Sequence, residues 1–513
     1  YGTETKGYRF YDPQNSRADK HVTLKLSNDN DVVVEDDQAD AEINERQPVR
    51  ERRAPDRFGE WVTIASTDVV EPTTHDVREL PKDQKAVGCK WVFKVKHNAD
   101  GSIERHKARL VAQCFSQRYG VDYDETFSPV VRFESIRTVI ALSVQKGLKL
   151  HQVDVTAAFL NGELEDEVYV KQSEGLEVKG KQTSEEDGDI FIVAIHVDDI
   201  ILAGKTDEKI AKVKESIAER FQVKDMGELQ YILGLQVIQE DGKVWIGQPT
   251  YTASIIKKYD MENCKPVETH VNLSSKLVSA MEDSELFNKE EYQSAVVSLL
   301  YLSSATRPDI TFAVNNVAKF SANPTNEHWT AVKRIFRYLK GTVNYGLLYS
   351  ENASPDCVGF SDADWAGDLN DRKSTSGYRF QINGAAVSWR SKKKTCVALS
   401  TAEAEYVAFS AAAQEALWMG QLLTDLNVNI DEPVTIYEGN QSAIAMSKNL
   451  QFHGRSKHID IKYHFVRDQV EKKTLTVLYC PTGSMLADLF TKGIAKEQFK
   501  KLRELTGVAI KPK

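Results

Sequence analysis

The stretch Phe191-Ile192-Val193-Ala194-Ile195-His196-Val197-Asp198-Asp199-Ile200-Ile201-Leu202 decides how this chain is read. Apolar, largely β-branched residues run up to two adjacent acids and resume beyond them, the pattern of a β-hairpin with Asp198 at its tip. Carboxylates in so apolar a frame are costly to desolvate unless a cation or the solvent meets them. A third acid, Asp154, closes the apolar strand Leu150-His151-Gln152-Val153-Asp154-Val155. Laid beside the hairpin, that strand brings carboxylates near enough to hold a pair of Mg²⁺ ions about 3.5 to 4 Å apart, an arrangement that assists in-line phosphoryl transfer. An Asp-Asp pair on its own is usually a turn. The hydrophobic setting and the third acid move the reading towards metal.

Working outward, Ile136, Val139, Ile140 and Val144 recur at helical spacing within 134–146, and Ile210, Val213, Ile217 and Phe221 do so within 207–221. On the N-terminal side, Trp91, Phe93 and Val95 alternate with Lys90, Lys94 and Lys96. The turn Asn98-Ala99-Asp100-Gly101 follows, and then Arg105, Lys107 and Arg109 share one face of a second strand. This basic hairpin reads either as a solvated edge, since lysines deter edge pairing, or as a phosphate-facing surface. On the C-terminal side, helices are predicted over 292–301, 310–320 and 330–340. Strands follow over 357–364, 377–389 and 434–437, with a long helix over 400–423 before the last, as in a separate α/β unit.

The chain has 513 residues and a formal charge of −9, with 66 Lys+Arg against 75 Asp+Glu, which excludes a single small binding module. A hydrophobic share of 41% with 20 Phe, 19 Tyr and 7 Trp supports large cores rather than a disordered or fibrous chain. No apolar run approaches the roughly 18 residues of a membrane helix, so no membrane partner is expected. The six cysteines show no zinc-ligand or disulfide spacing. Seven acids without a base between Asp31 and Glu45, followed by an Arg-rich stretch, read as a solvated linker. Without an initiator Met, Tyr1 reads as a cut from a longer frame.

Seven motifs in order carry a resemblance: KWVFKVKHNADGSIERHKARLVAQ (90–113), QVDVTAAFLNGEL (152–164), HVDDIILAG (196–204), YLSSATRPDI (301–310), SDADWAGD (361–368), STAEAEYVA (400–408) and KHIDIKYHF (457–465). From about Leu80 onward the chain resembles the Pol polyprotein of copia-type retrotransposons, in its reverse transcriptase and RNase H region. The resemblance implies a multidomain α+β and α/β fold. An integrase remnant over 1–28 and a linker over 29–78 would precede reverse transcriptase fingers and palm over 79–260, internally shortened near 173–190. Thumb or connection helices over 261–350 and an RNase H-like α/β domain over 351–513 would follow. It implies that Asp154, Asp198 and Asp199 form the polymerase metal triad, and that Lys107 and Arg109 contact the nucleotide triphosphate. Phe159 would lie against the nucleotide sugar, with a core residue at helical spacing as the alternative reading. Asp362, Glu405 and Asp488 would be three of four RNase H carboxylates. Two Mg²⁺ per site, an RNA template, a DNA primer, an RNA–DNA hybrid and dNTPs are implied with them, as are cytoplasmic virus-like particles.

Departures from the family pattern bear on activity. Only 44 positions separate Asp154 from Asp198, which leaves no room for the family's LYGLKQ-like helix, through either a deletion or a misplaced exon boundary. A second shortening lies between Thr73 and Leu80. Gly439 stands where the fourth RNase H carboxylate belongs, and Glu438 is expected to point to the other sheet face. His196 replaces a Tyr and Cys114 a Gly. Val297 replaces a helical Gly, where overpacking is expected to cost about 1 to 3 kcal/mol. Two functions therefore stand side by side: an impaired RNA-directed DNA polymerase with RNase H, and an inactive remnant that only binds nucleic acid.

Overall fold

A computed structural model describes residues 131–156, 191–426, 428, 433–448 and 460–512, and the backbone of strands 89–97 and 103–112. Residues 1–78, Cys114, Phe159 and the shortened stretch 173–190, all of which carry expectations above, lie outside the described residues. The described strands 89–97 and 103–112 belong to one compact unit and all other described residues to a second.

The first unit contributes an antiparallel hairpin, β1 (Cys89–His97) and β2 (Ile103–Ala112). Its register sets Lys94 opposite Lys107 and Lys96 opposite Arg105, so the basic positions share one side.

The second unit begins with α1 (Phe133–Lys146), which ends at Gly147 with φ +60°, a left-handed cap that glycine adopts without strain. Strands β3 (Lys149–Val155), β4 (Ile192–His196) and β5 (Asp199–Gly204), helix α2 (Asp207–Ala218) and strand β6 (Val223–Glu228) follow. They form an antiparallel sheet of order β4-β5-β3-β6. Alternation assigns its faces. Val153, Ile200 and Leu202 pack with Ile210 of α2, whereas Leu150, Ile201 and Ala203 join the main core with α1.

A second sheet holds β7 (Tyr231–Ile232), β8 (Leu235–Glu240), β9 (Lys243–Gly247) and β10 (Tyr345–Ser350). Between β9 and β10 come helices α3 (Pro249–Lys258), α4 (Lys289–Ala305), α5 (Thr311–Ala318) and α6 (Asn326–Gly341). In the turn between α4 and α5, buried Arg307 donates from Nε to Asp309 Oδ1 at 2.9 Å and from Nη2 to Oδ2 at 2.7 Å. Tyr338 Oη donates to the same carboxylate at 2.6 Å, which locks the turn to α6. Val297 does not overpack. It lies 64% exposed on the outer face of α4, so the expected steric cost does not arise there.

The third sheet is built from β11 (Val358–Ala363), β12 (Thr375–Ile382) and β13 (Ala385–Lys393), then α7 (Thr401–Asp425), β14 (Val434–Glu438), α8 (Gln441–Lys448), α9 (Asp460–Glu471) and β15 (Leu475–Tyr479). Its order is β13-β12-β11-β14-β15, with β11, β14 and β15 parallel and the other pairs antiparallel. The β12–β13 turn is Asn383-Gly384 with both φ values positive, the geometry that suits the twist of a tight hairpin. Helix α10 (Lys496–Leu505) leads to β16 (Val508–Ile510), which returns to the second sheet beside β10. Among the described residues no helix is long and apolar enough to cross a membrane.

Candidate active sites

The first site stands where the first sheet of the second unit ends. Asp154 on β3 and Asp199 on β5 are direct cross-strand partners. Both lie on the α1 face, because Leu150, Ile201 and Ala203 share their parity. Like charges at paired positions repel, so this arrangement calls for a cation. Asp198 occupies the two-residue β4–β5 turn, and its carbonyl accepts from the Val155 amide at 2.7 Å, which ties the turn to the end of β3. Val197, the other turn residue, has φ +59°, a strained value for a β-branched side chain. Half-burial raises the Asp199 carboxyl above its ordinary value, and the neighbouring Asp198 and Asp154 charges add to the rise. Gln152 opposes it, donating from Nε2 to Asp199 Oδ1 at 2.8 Å. Thus the sheet sets Asp154 opposite Asp199, and Asp198 stands beside them in the turn. Gln152 was missed, although its position two residues before Asp154 places it on the same strand face. Lys107 and Arg109 lie on β2 in the other unit, and Phe159 lies outside the described residues.

The second site lies at the end of the mixed third sheet. Asp362 closes β11, Glu405 sits one turn into α7, and Asp488 lies in the short helical turn Leu486–Phe490. Glu405 Oε2 accepts from the Ala363 amide at 2.7 Å, which fixes the helix carboxylate beside the strand. Thr491 Oγ1 donates to Asp362 Oδ2, while Lys492 Nζ reaches Asp488 Oδ1 at 2.8 Å and Asp362 Oδ2 at 3.5 Å. Burial, reinforced by the Asp362 charge, pushes the Glu405 carboxyl up to about 8 and that of Asp488 up to about 6. The three acids predicted from sequence are therefore brought together. Lys492 was missed, although its i,i+4 spacing from Asp488 is the available signal.

Glu438 is fully buried and pairs in register with Ser361, on the face of β11 that Ala363 turns towards Ala404 and Ala408 of α7. Its Oε1 accepts from the Asn440 amide at 3.2 Å, and its Oε2 has no hydrogen-bond partner. Burial and then the Glu405 charge raise its carboxyl well above the usual range. Strand parity puts Asp362 on the opposite face. The position expected to carry the fourth acid, Gly439, brings no donor.

Both carboxylate sets offer hard oxygen donors, the chemistry that suits Mg²⁺, and in each burial first and the neighbouring acids second raise a carboxyl pKa. The residues therefore fit a divalent cation. Among the described residues no three His, Cys, Asp or Glu side chains already stand in metal-holding geometry. In the second site the Lys492 ammonium supplies the positive charge between Asp362 and Asp488.

A family model described as reverse transcriptase (RNA-dependent DNA polymerase) matches residues 72–187 and 182–272. The chain is 38% identical over 486 residues to the retrovirus-related Pol polyprotein from transposon TNT 1-94 of Nicotiana tabacum, which covers 85% of this chain and 36% of the relative. It is 36% identical over 475 residues to that from transposon RE1 of Arabidopsis thaliana, at 84% and 32% coverage. The chain thus spans about a third of the length of these curated relatives. Among solved structures it is similar to a foamy viral protease-reverse transcriptase in complex with RNA/DNA hybrid, with a TM-score of 0.41, 14% identity and coverage of 73% of this chain and 49% of the other. On the family model and the extent of the sequence likeness, the chain belongs to the Pol polyproteins of copia-type retrotransposons and descends from their reverse transcriptase and RNase H region.

Proposed function

We propose that the chain is an RNA-directed DNA polymerase with an attached RNase H, acting on an RNA template, a DNA primer, dNTPs and the resulting RNA–DNA hybrid, with the hybrid-cleaving half impaired. The observation that carries this reading is the meeting of Asp154, Asp198 and Asp199 at one sheet end, paired across β3 and β5 and pinned by the Val155 amide. Mg²⁺, when bound, would supply charge neutralisation and a polarised attacking oxygen at each site. Asp154, Asp198 and Asp199 would hold it in the polymerase half, and Gln152 orients Asp199 for that task. Asp362, Glu405 and Asp488 would hold it in the other half, where Thr491 and the Ala363 amide orient Asp362 and Glu405. The basic side of the β1–β2 hairpin supports an anionic partner, with Lys107 and Arg109 meeting the triphosphate and Phe159 the nucleotide sugar. Virus-like particles in the cytoplasm are the setting this reading assigns.

Primer extension on an RNA template tests the polymerase half. Product above an Asp198→Ala control supports it, and product equal to that control rejects it. A second reading, binding of nucleic acid without chemistry, is favoured at the RNase H half by Gly439 and by Lys492 spanning two of the acids. It requires hybrid binding that weakens with salt and no cleavage. Cleavage that disappears in Asp362→Asn rules it out.

A further inference from the structure

Helix α6 presents Lys333, Arg334 and Arg337 within one helical turn, and all three line a cavity of about 320 Å³ walled also by α5 and residues 270–277. His270 closes its inner wall. The ring is 5% exposed, meets Tyr338 and Phe499 edge-on with centroids at 5.6 and 4.7 Å, and lies against the Asp309 backbone without completing a hydrogen bond of good geometry from either nitrogen. Burial holds the His270 pKa down at about 4, so the ring is neutral and offers one donor and one acceptor. Arg334 donates from Nη2 to Thr269 Oγ1 at 2.8 Å, while its buried Nε has no partner. Burial first and the Arg337 charge second depress the Arg334 guanidinium, and no carboxylate among its electrostatic neighbours offsets them. Glu327, the single acid of the lining, is engaged at the rim by Ser275 Oγ at 3.0 Å. Three cations, an unsatisfied buried guanidinium nitrogen and an unsatisfied imidazole therefore converge on a space lined also by the amides Asn272 and Asn316.

Crowded cations around unfilled donors are compensated by a multiply charged oxyanion, and forked guanidinium donors match the edges of a phosphate. We propose that this cavity is a phosphate-binding site, filled by the phosphate of a free nucleotide or by one phosphate of a nucleic-acid backbone laid across α6. None of the six acids placed in the candidate active sites lines it, so it stands apart from the catalytic reading.

The test is thermal unfolding of the full chain with inorganic phosphate, adenosine 5′-monophosphate or a short oligothymidylate, against KCl at matched ionic strength. At least one phosphate compound raises the melting temperature, and Lys333→Gln/Arg337→Gln weakens its binding about tenfold or more. Lys333→Glu, at an exposed position that leaves packing untouched, gives the same loss should the double variant fold poorly. Stabilisation by phosphate and the monophosphate alone assigns a free nucleotide, and stabilisation by oligothymidylate assigns the backbone. No shift with any of the three, or equal shifts in wild type and Lys333→Glu, overturns the proposal.

Discussion

A Cβ built at Gly439 meets Met485 Cε at 3.5 Å and Cys480 O at 3.9 Å, ordinary contacts that admit a β-carbon at this position. Gly439→Asp is therefore expected to fold and to raise Mg²⁺-dependent hybrid cleavage about tenfold or more, measured on a labelled RNA–DNA duplex. The carboxyls of Glu405, at about 8, and Asp488, at about 6, both lie above their unfolded values. The folded state thus holds more protons than the unfolded one. Their contribution to stability is fully present below about pH 4, falls as pH rises through about 6 to 8, and is gone above about pH 8. Melting temperature in EDTA should decline across that window, Glu405→Gln should flatten its upper part, and added Mg²⁺ should recover more at about pH 8 than at about pH 5. Asp154, Asp198 and Asp199 could be named from their apolar strand pattern, and Asp362, Glu405 and Asp488 only through the motifs that carry the resemblance. The sheet face of Glu438 was also legible from strand parity, but its full burial and the reach of Lys492 were not, since they depend on how α7 and the Leu486–Phe490 turn pack against the sheet.

The hairpins β1–β2 and β4–β5 and helices α1, α2, α4 to α7 all follow from periodicity, which survives wherever one face is buried. Strands β7 to β9 escaped that reading because they are short and because the partner that completes their sheet, β10, is remote in sequence. The β4–β5 turn stores strain at Val197, and strain of this kind costs about 1 to 3 kcal/mol. Val197→Gly relieves it against an entropic loss of about 0.5 to 1 kcal/mol. A net stabilisation of about 0 to 2.5 kcal/mol in urea unfolding is expected, and destabilisation would show that the turn is relaxed as it stands. In the turn ahead of α5, Asp309→Ala strands the buried Arg307 guanidinium and should cost about 3 to 5 kcal/mol. Arg307→Met/Asp309→Leu should cost less, since no charge is left unpaired, and the same urea experiment compares the two.

Taken as a whole, the second unit is joined by single residues that bridge distant sequence. Arg137 of α1 is fully buried and donates from Nε to Val387 O at 2.7 Å and from Nη1 to Ser304 O and Ala305 O at 2.7 and 2.9 Å. Its guanidinium also lies 3.9 Å from the centroid of Trp389. Helix α1, the end of α4 and strand β13 thus share one cation. Arg137→Leu leaves three carbonyls without their donor, and a loss of about 3 kcal/mol or more is expected, each orphaned group costing about 1 to 3. Calorimetry should show the unfolding transition broaden or split as the sheet that carries Asp154 and the sheet that carries Asp362 uncouple. The helix was plain from its apolar spacing, but nothing local to Arg137 announced partners more than 160 positions away. The pairing of β16 with β10 extends the same long-range closure to residues 508–510. During synthesis the ribosome delivers β10 well before its outer neighbour, so one flank of that sheet waits open until β16 emerges. A nascent chain stalled in that interval displays an unsatisfied backbone ladder, the state most exposed to chaperone capture and to misassembly with another copy.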